Sequence, residues 1–150
     1  MSEPSATGDR PRIDPAQLRA LSTTLRFLEA VRREGPRLSR RLRSGRAGEC
    51  GAELHALVEG LRALAELFVE LDGELGGRGS RDRGTLARLL RDVSRGARRG
   101  DWLAVAAQLD ETLLPAAPRW QHALAARLES AAGTQAPEPA ADASPAGESD

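Results

Sequence analysis

The stretch CGAELHALVEGLRALAELFVELDGEL, residues 50–75, decides the fold. Its apolar residues Cys50, Leu54, Leu57, Leu61, Leu64, Phe68, Leu71 and Leu75 recur at alternating spacings of four and three. Side chains so spaced share one face of an α-helix and pack knobs into holes against neighbouring helices. Glu53, Glu59, Glu66 and Glu70 lie off this coiled-coil-like seam. The glycines of Gly73–Gly77 predict where the helix ends.

Three further helical patterns flank it. Asp14 and Pro15 are an N-cap and a first-turn residue, and the first helix follows with Leu18, Leu21, Leu25, Leu28, Val31, Leu38 and Leu42. Gly35-Pro36 predicts a kink or short break within it, and Ser44 to Gly48 a turn. The third helix is expected from Ser80 or Asp82 to about Arg99, with a stripe of Leu86, Leu90, Val93 and Ala97 and with Leu89 beside it. Gly100 ends it. Asp101 caps a fourth helix whose apolar positions include Trp102, Ala106, Leu109, Leu113, Trp120, Leu124 and Leu128. Pro115 and Pro118 predict a bend or break near 111–118. Short links between amphipathic helices give an all-α fold, a four-helix bundle or two stacked antiparallel hairpins, with the fourth helix kinked at Pro115. A shift of 55 positions overlays Arg43-Ser44-Gly45 on Arg98-Arg99-Gly100 and Ala52-Glu53-Leu54 on Ala107-Gln108-Leu109, a short echo that favours hairpins. The bundle domain is read as 14–132. Residues 1–13, with Ser, Pro, Gly and balanced charges, and the acidic, Ala/Pro-rich 133–150 read as disordered tails; the latter holds no large apolar side chain that would offset the entropy of ordering.

Composition agrees. Leu and Ala supply 48 of the 60 hydrophobic residues of this 150-residue chain, and aromatics are 3%. Most all-β folds need more β-branched and aromatic residues than that. One Cys excludes an intrachain disulfide, and with two His it leaves no Cys/His zinc cage. No apolar run is long enough for a transmembrane helix, and Met1 to Arg12 has no signal-peptide core. A cytoplasmic location is the expectation. All 22 basic residues are Arg, and with Ala, Gly and Pro also abundant this reads as a GC-rich coding sequence rather than as selection for anion recognition.

The formal net charge is zero, but the segments alternate. Residues 14–46 carry +6, 47–77 carry −6, 78–100 carry +6 and 101–132 carry −2. Basic helices beside acidic ones relieve repulsion in an antiparallel bundle and select neighbours.

Candidate chemistry is sparse. Cys50 lies on the seam, where a free thiol behaves as a small core residue. His55 and Glu59 are spaced i, i+4 but belong to no metal-binding motif, and His122 has no identifiable partner. The Gly-rich 73–79 has no preceding strand and no Gly-Lys-Ser/Thr, so it is a connection rather than a phosphate loop. No enzyme activity and no cofactor are expected. Arg37, Arg40, Arg41, Arg43 and Arg46 form one basic cluster, and Arg88, Arg91, Arg95, Arg98 and Arg99 another. These could hold a nucleic-acid backbone, although the acidic second helix and the missing aromatic platform favour solvated, neighbour-paired faces.

Three short motifs recur together: Leu57-Val58-Glu59-Gly60-Leu61, Gly100-Asp101-Trp102, and Leu114-Pro115 followed by Trp120. Over about residues 40–125 the chain resembles a small all-helical family of uncharacterised bacterial proteins, best represented in Firmicutes. The resemblance implies a helical-hairpin fold and the kink at Pro115, and no activity. Pro118, Gly35-Pro36 and the acidic tail depart from the family pattern.

The functional expectation is a non-enzymatic adaptor or chaperone-like module acting through protein–protein contact or self-association. Leu113, Leu114 and Trp120 would frame an apolar groove at the kinked helix, with Trp102 and Trp120 as anchors unless both fill the core. The alternative is a nucleic-acid-associated regulator using Arg37, Arg40, Arg41, Arg88, Arg91 and Arg95.

Overall fold

Asp14 accepts the Gln17 N–H at 2.8 Å and Pro15 takes the first helical position, so helix α1 (Pro15–Arg43) starts where its sequence signals it. The structure, a computed structural model, describes residues 14–71 and 77–135. Leu75 of the seam, residues 1–13 and the part of the acidic tail beyond 135 lie outside the described residues.

A 3₁₀ turn (Ala47–Glu49) links α1 to α2 (Gly51–Glu70). Helix α3 (Gly77–Arg99) follows. Then come α4 (Trp102–Gln108), a π turn (Leu109–Leu113) and α5 (Leu114–Gln135), three segments of one helical column. Helices α1 and α3 end alike. Gly45 (φ +82°) and Gly100 (φ +69°) adopt the left-handed conformation. Behind them Arg46 N–H bonds the Arg41 carbonyl and Asp101 N–H the Gly96 carbonyl. Glycine enters this conformation without a Cβ clash, which is why both helices stop there. Asp101 then caps α4 by accepting the Ala104 N–H at 3.2 Å.

The result is an antiparallel four-helix bundle. Helix α1 packs on α2 and on the α4–α5 column, and α3 packs on α2 and α4, so α1 and α3 lie on one diagonal. Acidic α2 therefore sits between the two basic helices, as the charge alternation requires. The seam is the core: Cys50, Leu61, Leu64, Phe68 and Leu71 are 0% exposed. Trp120 meets Phe68 across the centre in a T-shaped contact with centroids 6.0 Å apart.

Four local expectations need correction. Helix α1 runs unbroken through Gly35-Pro36. The short break does not occur: Gly35 is buried against Leu114 of α5, and this crossing packs the helix where Pro36 removes a hydrogen bond. Helix α2 ends at Glu70, before the glycines, and α3 begins at Gly77, ahead of Ser80. The buried stripe of α3 is Leu86, Leu89, Val93 and Gly96, while Leu90 and Ala97 are only half-buried. Gly96 belongs to it because a Cβ there would lie 2.8 Å from Val105 Cγ2, a close crossing that apolar periodicity does not register. Finally, the irregularity expected at Pro115 is a π turn just before it. Leu114 N–H reaches back to the Leu109 carbonyl, and the widened turn relieves the clash a Pro115 ring would make with the carbonyl four residues earlier.

Candidate partner-binding slot

Helices α1 and α2 touch at two places and part between them. At one, Phe27 lies so close over Gly60 that a Cβ there would fall on its ring. At the other, Arg41 donates to the Glu53 carboxylate and to the Glu49 carbonyl, both at 3.0 Å. Between these points face Ala30 and Ala56, too short to close the gap. The gap is a slot of about 320 Å³. Its walls include Val31, Leu38 and Leu57, and its floor is Leu109, Leu113 and Leu114 from the π turn and the start of α5. Glu34, Arg37, Arg41 and Glu53 stand around it. That volume lies at the small end of ligand pockets, which run roughly 300–1,000 Å³.

The floor is held by polar contacts. Ser39, 2% exposed, donates to Asp110 Oδ2 at 2.9 Å, and Arg43 donates to the same oxygen through Nη2 at 2.6 Å. Asp110 sits in the π turn, so these bonds pin the turn to α1. At the rim the hydrogen bond from Arg41 holds the Glu53 carboxyl below its ordinary pKa, and the same bond raises that of Arg41.

The residues expected to bind a partner divide. Leu113 and Leu114 line the slot, Leu114 half-buried and Leu113 only 1% exposed. Trp120 is 0% exposed and packs in the core, so it offers a partner no surface. Its indole Nε1 is buried without a hydrogen-bond partner among the described residues. Trp102 is half-buried at the start of α4 and does not line the slot. Sequence reasoning missed Phe27, Ala30 and Ala56. The only sequence signal for them was Gly60, a glycine inside a strong helical pattern.

The six arginines of the nucleic-acid alternative do not form one patch, because α1 and α3 are diagonal. Of the three on α1, Arg37 pairs with Glu34 at 3.8 Å and Arg41 with Glu53; nearby, Arg43 pairs with Asp110 and Arg46, beyond the helix, with Glu49. Arg40 has no such partner among the described residues. Arg88, Arg91 and Arg95 are exposed on α3.

Cys50 is buried and its thiol donates to the Arg46 carbonyl at 3.4 Å, while His55 and Glu59 are both exposed. Among the described residues no group of three or more His, Cys, Asp or Glu side chains could hold a metal ion, and no helix is long and apolar enough to cross a membrane. The chain matches no protein-family model, no curated protein and no solved structure.

Proposed function

We propose that the protein is a non-enzymatic interaction module, an adaptor or chaperone-like bundle, whose working surface is the slot between α1 and α2. The observation that carries this reading is an apolar slot with a π-turn floor and a rim of both charge signs. Such a site suits the apolar anchor of an amphipathic partner helix, whose flanking charges meet Glu34 and Arg37 at the rim. Mid-helix π turns are often retained at functional sites. A lone buried thiol is compatible with a reducing compartment, so the reading includes a cytoplasmic module. Kinship with the helical family of the Val58-Glu59-Gly60-Leu61 motif is a proposal beside it, and adds no activity.

The experiment uses Ala56→Trp. Ala56 is exposed and lines the slot, so a large side chain there fills the slot without entering the core. Affinity capture from lysate is run with the full chain and with this variant at low and high salt. A protein held by the wild type at high salt and lost by Ala56→Trp is the expected result. A protein held equally by both overturns the slot as the working surface.

A further inference from the structure

The α3 helix carries a second surface that the slot does not use. Arg81, Arg88, Arg91, Arg95, Arg98 and Arg99 are all exposed, and helical spacing places them on one face within about 100° of arc. None pairs with a carboxylate among the described residues, in contrast to Arg37, Arg41 and Arg43 of α1. Of the acids on α3, Asp82 is engaged by Arg119 at 3.5 Å, and half-buried Asp92 lies along the edge of the stripe. From Arg81 to Arg99 the stripe runs about 27 Å, at 1.5 Å per residue.

We propose that this stripe binds the phosphate backbone of nucleic acid without reading its bases. The argument is one of fit. A protein partner needs apolar anchors at the centre of its interface. Among the described residues the exposed face of α3 offers none larger than Ala87. A phosphodiester backbone needs only a line of cations, and guanidinium forks match phosphate oxygens. No aromatic side chain stands among these arginines for base stacking, so binding follows charge and is indifferent to sequence.

The test is fluorescence anisotropy of a labelled 20-base-pair duplex, in two unrelated sequences, titrated with the full chain. Both duplexes bind alike. Affinity falls roughly a hundredfold between 50 and 200 mM salt, as release of about four counterions requires. The triple variant Arg88→Glu, Arg91→Glu, Arg95→Glu keeps its helical circular dichroism and binds more than tenfold more weakly. Arg40→Glu, on α1, binds as the wild type does. Binding that ignores salt, or a triple variant as tight as the wild type, overturns the proposal. Equal competition by poly-glutamate of matched charge assigns the stripe to acidic protein and also overturns it. A full-length variant with Glu138→Gln, Asp142→Asn, Glu148→Gln and Asp150→Asn tests the chain's own acidic segment as the occupant. Tighter duplex binding by that variant shows the segment competing for the stripe and leaves the phosphate assignment standing, whereas no duplex binding by either chain overturns it.

Discussion

Trp120 shows how one residue's role depends on what surrounds it. Its spacing from Leu113 and Leu124 fits a helix face equally well in a core or at an interface. The bundle closes over it completely, against Phe68. Trp120→Ala should therefore cost about 3–5 kcal/mol by urea unfolding, the range for emptying a large aromatic site. Trp120→Phe should cost less, since it also removes a buried N–H that has no partner among the described residues. Glu53 makes a pH-dependent contribution through Arg41. Its folded pKa is lowered, so the unfolded state binds the extra proton as acid is added. That stability is fully present above the ordinary carboxylate value of roughly 4.3 and is lost as pH falls through the lower folded value. Glu53→Gln should flatten the acid limb of stability against pH in that window and leave its slope near neutrality unchanged. The pair is partly exposed, with 24% and 47% of the two side chains accessible, so the effect will be small.

Elements carry the next lesson. Proline signals in this chain mark hydrogen bonds lost, not helices ended. Pro36 and Pro118 both sit inside continuous helices. Pro118 is exposed, so Pro118→Ala should regain helical propensity with no packing loss. An increase of up to about 3 kcal/mol in unfolding free energy is expected, read by urea titration followed by circular dichroism. Gly60 behaves oppositely. Gly60→Ala improves propensity yet drives a Cβ into the Phe27 ring, so the ring must leave its place or α1 and α2 must separate. The expected net cost is about 1–3 kcal/mol, and Phe27→Leu in the same chain should recover part of it. Equal, additive costs in that double-mutant cycle would show that the two residues do not define the crossing. The helices themselves were legible from period and caps, namely Asp14, Asp101, Gly45 and Gly100. The ends at Glu70 and Gly77 were not, because several glycines in a row leave many places to stop.

For the whole molecule, the charge alternation and the core have different tasks. Acidic α2 separates basic α1 from basic α3, which selects this neighbour order over one with the basic helices side by side. The pair that joins α1 to α2, Arg41 with Glu53, is partly exposed at 24% and 47%, and a pair within α1, Arg37 with Glu34, is more so at 70% and 55%. Raising salt from 0.05 to 1 M should thus shift unfolding free energy by less than about 1 kcal/mol, measured by urea titration at each salt. A larger loss would mean that ion pairs, not the Leu seam, hold the bundle. The sequence by itself determined the all-α class, the four helical patterns, their caps and the seam that becomes the core. These follow from local periodicity and turn chemistry, which act within a few residues along the chain. Only the tertiary structure decided that Trp120 is core, that Pro36 is carried within α1, that Leu113 and Leu114 floor a slot beside Ala30 and Ala56, and that Arg88, Arg91 and Arg95 stand exposed on α3 with no carboxylate partner among the described residues. Each of these depends on which side chain from a distant segment fills, or fails to fill, the space opposite, and a one-dimensional pattern does not contain that distance.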